Sequence, residues 1–176
     1  MTDRAAPLHA RAAFFVVVGV VVFAHWLITD PSRGETVAQT DWRHVVAFSG
    51  VLAAIGAGIV VLARIVGNET RRASLASAAG AGLASFANIL EDGFAMGWAF
   101  FATVIGTGVL LVGLLATAVT MALKALPGLR RFAAVPLGTA LAIFLYVEAG
   151  GPIMLATWVL AAGLTVSTSR RLQTLD

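Results

Sequence analysis

Cysteine is absent from this sequence, and charged residues are scarce. None of the 176 residues is Cys, 12% are charged, and there is a single Tyr. The absence of Cys excludes disulfide bridges, thiol redox chemistry, Cys-ligated zinc and iron–sulfur clusters. The charged fraction is about half of the roughly 25% found in soluble domains, so the chain is not an ordinary soluble domain.

Apolar residues take the place of the missing charges. They make up 59% of the chain, and the mean hydropathy is +0.91. A small soluble fold cannot hide so many apolar residues, because it still exposes about 30% of the surface of its unfolded chain. Lipid is therefore the expected solvent for much of this protein.

Long apolar segments follow one another along the chain. A membrane helix needs about 20 mostly apolar residues, and six segments meet or approach that length. They leave no room for a second domain. The sequence thus predicts an all-α polytopic bundle of six transmembrane helices in three hairpins, forming a single integral membrane domain over residues 1–176. The predicted spans are 12–29, 44–63, 74–90, 97–123, 132–147 and 153–167.

Basic residues are distributed unevenly between the two sides that this topology creates. Ten of the twelve Lys and Arg residues lie on the side of the termini, and only Arg33 and Arg43 lie on the other side. Such an excess in short loops marks the cytoplasmic side, so both termini are expected in the cytoplasm. The basic pI is then a signal of topology, and we expect no nucleic-acid partner. The ten residues are Arg4, Arg11, Arg64, Arg71, Arg72, Lys124, Arg130, Arg131, Arg170 and Arg171.

The composition also indicates a location. It is rich in Ala, Gly, Val, Leu and Arg, and in this it resembles small membrane proteins of high-GC bacteria. The resemblance implies the bacterial cytoplasmic membrane and carries no function.

Acidic residues follow the opposite distribution. Six of the nine fall on the outer side, although acids contribute little to the orientation of a membrane protein. Topology therefore does not require this split, and we interpret it as a sign of function. The six are Asp30, Glu35, Asp41, Glu91, Asp92 and Glu148.

Residues 88–93 carry the strongest indication of a site. Glu91 and Asp92 end an almost wholly small and apolar segment, and Asn88 shares one helical face with Asp92. Acids near membrane depth are costly and usually mark functional sites. A carboxylate at the C-terminal end of a helix also meets the negative end of the helix dipole, which favours the protonated acid. The alternative interpretation is an ordinary polar turn in the headgroup layer.

Glu148 occupies the equivalent position in the next hairpin. It ends an apolar segment and precedes Gly150, Gly151 and Pro152, so it too has a turn interpretation. Both short outer turns are acidic and lack a basic residue of their own. Glu91, Asp92 and Glu148 are therefore the best candidates for charge pairing or acid–base chemistry.

Aromatic side chains collect on the same outer side. They form either a one-sided interfacial belt or the walls of an outward-facing pocket that suits a cation or an amphiphile. Arg43, at the start of the second span, can neutralise an outer carboxylate or hold an anionic headgroup. The aromatic candidates are Trp26, Trp42, Trp98 and Tyr146 in the outer third, with Trp158 in the outer half of the last span.

Two histidines lie at the outer ends of adjacent spans. His25 falls within the first span, and His44 opens the second. Two imidazoles with nearby carboxylates can bind a metal or haem. Their spacing matches no ligand signature, so structural hydrogen bonding is the better interpretation, and we expect neither a metal nor another cofactor.

Small residues dominate the third span, which consists largely of Ala, Gly and Ser. In lipid, small residues let helix backbones approach closely, so we expect this helix to be central and to touch several neighbours. Gly56 and Gly58 in the second span, and Gly106, Gly108 and Gly113 in the fourth, predict further close contacts. Packing within one chain is favoured over a dimer interface.

Motifs of common enzymes are absent: there is no Gly-rich phosphate loop, nucleophile elbow or His-Glu-x-x-His. Three functions remain. The first is an outward-facing acidic and aromatic site that binds or moves a small cationic or amphiphilic ligand. The second is a non-catalytic subunit or assembly factor, with a membrane-protein partner or a second copy of the chain. The third is a membrane-embedded acid–base enzyme acting on a lipid or isoprenoid-like substrate.

Overall fold

A computed structural model describes residues 5–29, 42–145 and 149–173. Within these ranges the chain is helical and contains no strand, as the apolar segments predict. The α-helices are α1 Ala5–Thr29, α2 Trp42–Val66, α3 Arg71–Asn88, α4 Ala99–Lys124, α5 Ala134–Phe144 and α6 Gly151–Gln173.

Three short helical segments flank the main helices. A 3₁₀ turn, Asn68–Thr70, leads into α3, and another, Arg130–Ala133, leads into α5. A π-helical turn, Ile89–Gly93, extends α3. Gly67 joins α2 to the first 3₁₀ turn with φ of 125°, a backbone conformation that a residue with a side chain adopts only under strain.

Five of the helices are long and apolar enough to cross a membrane. The prediction of a helical chain with several helices long and apolar enough to span a membrane is therefore confirmed for the described residues. The fifth predicted span, 132–147, runs beyond them. Its described α-helix, α5, has 11 residues and is about 16 Å long at 1.5 Å per residue. Pro136 lies in the first turn of α5, where its missing N–H group breaks no hydrogen bond.

The helices form a closed ring. Each helix packs against its neighbours in the chain, and α6 packs extensively against α1. The connections that the structure describes in full, from α2 to α3, α3 to α4 and α4 to α5, are short, and the helices that they join are antiparallel. The contact between α1 and α6 brings the first and last α-helices together.

The closest helix pair is α3 with α4. A Cβ atom on Gly80 would lie 2.3 Å from the backbone nitrogen of Leu110, and one on Gly106 would lie 2.5 Å from that of Ala84. Backbones in such contact are stabilised by dispersion, which is the main packing force between helices in lipid. Gly113 meets Ser77 in the same way, so two of the glycines predicted in the fourth span make the expected contacts.

Two expectations about small residues were wrong. Gly108 faces open space, with nothing within 4 Å of an added Cβ atom. The third helix is not central: it packs against α2 and α4, and its opposite face, which includes Ala76, Ala79 and Gly82, is exposed. Small residues allow close approach, but they do not by themselves determine how many helices approach.

Trp158 is the largest fully buried side chain described. Its indole ring fills the space between α6, α1 and α2, lying 5.6 Å from the ring of Phe15 and against Gly58. Its N–H group donates a hydrogen bond to the Met154 sulfur at 3.2 Å, so the one polar atom of the ring has a partner.

The two ends of the ring differ in chemistry. We call the end that holds Glu91 and Asp92 the acidic end; there α1 and α3 finish, and α2, α4 and α6 begin. The opposite end is the arginine-rich end. Its described basic side chains are Arg11, Arg64, Arg71, Arg72, Lys124, Arg130, Arg131 and Arg170.

Candidate functional site at the acidic end

The π-helical turn positions the two acidic side chains. Glu91 and Asp92 lie in Ile89–Gly93, and both are half-buried. A π turn inserts an extra residue into a helix and is frequent at functional sites. The chain then reverses, because the backbone N–H of Met96 donates a hydrogen bond to the Leu90 carbonyl at 3.0 Å.

Thr103 fixes the side chain of Glu91 from the neighbouring helix. Its hydroxyl lies 2.8 Å from Oε2 of Glu91 and donates to it. The same hydroxyl is 3.2 Å from the Ala99 carbonyl one turn earlier, and its single proton can serve only one of these acceptors at a time. Thr103 therefore joins the π turn to the first turns of α4.

The carboxylates have no basic partner among the residues that the structure describes. Neither Glu91 nor Asp92 has a Lys, Arg or His nitrogen of that part of the chain within 4 Å. The hydrogen bond from Thr103 is neutral and leaves the charge of Glu91 uncompensated. Two adjacent half-buried acids thus form a local concentration of negative charge.

Aromatic rings border the same turn. The Trp42 ring lies against Gly93, where an added Cβ atom would be 2.7 Å from it, and it meets the ring of Phe94 edge-on with centroids 5.4 Å apart. Trp98, at the start of α4, is 63% exposed. Trp42 therefore borders the acidic turn, whereas Trp98 is an exposed ring five residues after Gly93, in the kind of position that Trp occupies at a membrane interface.

Asn88 is buried beneath the turn and links α3 to α2. Its amide nitrogen is 3.2 Å from the Ser49 hydroxyl and 3.4 Å from the Val45 carbonyl, and donates to both. Ser49 and Ser85 also donate to each other's backbone carbonyls at 3.1 and 2.9 Å. This network joins the two helices. Asn88 thus holds the end of α3, just before the π turn, against α2.

The two candidate histidines lie on α1 and α2. His25 is buried, with its ring 5.8 Å from that of Phe48. His44 is half-buried and close enough to His25 for an electrostatic interaction. Over the described ranges no group of three or more His, Asp or Glu side chains is arranged to hold a metal ion.

The other candidates are more dispersed. Arg43 is exposed in the first turn of α2. The Trp26 ring packs against Gly151 at the start of α6 and stacks on Phe23. Trp158 belongs to the core described above. Tyr146 and Glu148 lie outside the described residues.

Three contributors to the site carry no obvious sequence signal. Thr103 is one of four Thr residues in α4, Ser49 is the single Ser of α2, and Phe94 is one of ten Phe residues. Only the packing of α2 and α4 on α3 brings them to the acidic turn. The two carboxylates, by contrast, are conspicuous because acids are rare in this chain.

Comparison with models of protein families, with curated proteins and with solved structures found no match to this chain. A function must therefore be argued from the site itself. Paired carboxylates with aromatic neighbours can attract a cation, hold an ammonium group against a π face or exchange a proton.

Proposed function

We propose that the acidic end forms an outward-facing site that binds or moves a small cationic or amphiphilic ligand. The observation that carries this proposal is the pair of half-buried carboxylates, Glu91 and Asp92, with no basic partner among the described residues. The turn that holds them is bordered by Trp42 and Phe94. The acidic end therefore presents negative charge and apolar aromatic surface side by side.

Electrostatics favours a cation over a neutral ligand. A unit charge 4 Å from a carboxylate gains about 1 kcal/mol in water and about 4 kcal/mol near a protein surface. A cation also relieves the repulsion between the two adjacent acids. An aromatic face adds about 0.5–2 kcal/mol for an ammonium group, so an organic cation gains from the carboxylates and from the ring together.

We further propose that α5 crosses the membrane as well, which makes six spans with both termini in the cytoplasm of a bacterial cell. The excess of basic residues at one end supports this orientation. The antiparallel packing of α5 between α4 and α6 supports an even number of spans. In this orientation the acidic end faces outward.

Tetraphenylphosphonium is a suitable probe because it combines one positive charge with apolar aromatic surface. We would measure its binding by equilibrium dialysis against the chain in phosphatidylcholine nanodiscs, after subtraction of empty nanodiscs. The parent chain should bind it saturably. The double variant Glu91→Gln/Asp92→Asn should bind at least about tenfold more weakly, which corresponds to 1.4 kcal/mol.

Two controls make this test specific. Glu69→Gln removes an exposed acid at the arginine-rich end and should leave the affinity unchanged. Tetraphenylborate has nearly the same shape with the opposite charge, and in a separate arm without the cation it should bind no more than it does to empty nanodiscs. Unchanged binding in the double variant would contradict the proposal.

A second candidate function is that of a subunit in a larger membrane assembly. The exposed small-residue face of α3, which includes Ala76, Ala79 and Gly82, favours it because such faces allow another helix to approach. Native mass spectrometry of the same nanodiscs distinguishes the two. A stable protein partner, with probe binding unaffected by loss of the carboxylates, would favour the subunit.

A further inference from the structure

Arg131 at the arginine-rich end is held in one orientation by two hydroxyl groups. It lies in the 3₁₀ turn Arg130–Ala133 before α5 and is half-buried. Its Nη2 donates hydrogen bonds to the hydroxyls of Ser167 and Thr168 on α6, at 3.0 and 3.1 Å. The guanidinium is thereby fixed against the last turns of α6.

The two hydroxyls can act only as acceptors toward Arg131. Ser167 and Thr168 each donate their own proton to the Leu164 carbonyl, at 2.9 and 2.8 Å. They orient the guanidinium but are neutral, so they leave its positive charge in place. The hydroxyls of Ser167 and Thr168 therefore orient the Arg131 guanidinium.

The rest of the guanidinium is unsatisfied within the described residues. Its Nε–H group is buried and has no hydrogen-bond partner there. No acid occurs in the sequence between Asp92 and Glu148, and over the described ranges no carboxylate lies within 4 Å of Arg131. A desolvated donor without an acceptor is costly, and the cost is larger when the group is charged.

Further positive charge surrounds this position. Arg130 precedes it and is exposed, with its Nε donating to the Ala125 carbonyl at 3.1 Å. Arg170, two residues after Thr168, is also exposed. A forked guanidinium among other arginines at the end of a helix bundle has the geometry and charge that phosphate oxygens favour.

We propose that Arg131, aimed by Ser167 and Thr168, binds a phosphate group at the arginine-rich end of the α5–α6 pair. The phosphate is that of an anionic lipid headgroup or a free phosphate. Basic sites between membrane helices bind lipid headgroups in this way. The phosphate oxygens accept from the accessible part of the guanidinium and neutralise its charge.

The test is a titration of the purified full chain in a neutral detergent, followed by native mass spectrometry. Short-chain phosphatidylglycerol, short-chain phosphatidylcholine and inorganic phosphate are added in separate arms. Phosphatidylglycerol binding at lower concentration than phosphatidylcholine identifies a lipid source. A bound phosphate that displaces the lipid identifies free phosphate as the source.

Variants separate a specific site from general charge attraction. Arg131→Gln should weaken binding of the phosphate-bearing ligand at least about tenfold. Arg64→Gln removes an exposed basic residue at the same end and should change it by less than twofold. Arg131→Lys keeps the charge without the fork and should lose about threefold or more; it remains informative if Arg131→Gln does not fold. Equal effects of Arg131→Gln and Arg64→Gln, or full binding by Arg131→Lys, would overturn the proposal.

Discussion

At the scale of single residues, the acidic site depends on a threonine from another helix. Glu91 projects from a π turn, and its only described hydrogen-bond partner is Thr103 on α4. A hydrogen bond to a charged group contributes about 1.5–3 kcal/mol. Thr103 thus acts as a positioning residue, since it holds the carboxylate without itself carrying charge.

Replacement of Thr103 tests this role. Thr103→Val removes the donor while keeping the shape of the side chain, and we expect about tenfold weaker binding of tetraphenylphosphonium in nanodiscs. Thr103→Ser retains the hydroxyl and should bind like the parent. If valine and serine behave alike, the hydrogen bond does not contribute to the site.

At the scale of elements, the contact of α3 with α4 depends on glycines at the contact. Gly106 and Gly113 on α4, with Gly80 on α3, bring the two backbones together. The hydrophobic effect contributes little between helices surrounded by lipid, so these dispersion contacts and a few hydrogen bonds hold the pair. Because Glu91 extends α3 and Thr103 lies on α4, the site depends on this contact.

Two alanine substitutions in one helix provide a matched comparison. In Gly106→Ala the new Cβ atom meets the Ala84 backbone at 2.5 Å, whereas in Gly108→Ala it meets nothing. Overpacking costs about 1–3 kcal/mol, and about 2–4 °C of Tm accompanies each kcal/mol in a chain of this size. Gly106→Ala should therefore lower the Tm in detergent, measured by size-exclusion chromatography after heating, by roughly 2–12 °C. Gly108→Ala should not lower it, and a similar loss in both variants would contradict the described packing.

At the scale of the whole molecule, antiparallel packing separates the acidic end from the arginine-rich end. The Trp26 ring meets Gly151, and Trp42 meets Gly93, so the end of α1 meets the start of α6, and the start of α2 meets the turn after α3, at the acidic end. Arg131 meets α6 at the opposite end. A membrane around this ring places the two proposed sites on different sides.

Cysteine labelling tests this arrangement directly, because the parent chain has no Cys and gives no background. Gly97 and Gly128 are exposed loop residues with open space around an added Cβ atom. In intact bacterial cells, a membrane-impermeant maleimide should label Gly97→Cys, and it should label Gly128→Cys only after permeabilisation. Ala149→Cys, beyond α5, should behave like Gly97→Cys. Labelling of Ala149→Cys only after permeabilisation would mean that α5 does not cross.

The sequence by itself determined the helical class, the approximate helix positions and the two carboxylates worth testing. Each of these follows from local properties: the length of an apolar segment, the breaks between segments, and the rarity of acids in apolar surroundings. The glycines at 106 and 113 were also identifiable, because small residues in lipid favour close contact.

Only the tertiary structure decided which helices meet. The pairing of α1 with α6, the burial of Trp158 against Gly58, and the contacts of Thr103 and Asn88 all join residues far apart in the chain. Trp is a residue type common at membrane interfaces, yet Trp158 lies in the core, where Gly58 on α2 leaves room for its ring. Such complementarity is a property of paired surfaces, so no single segment contains it.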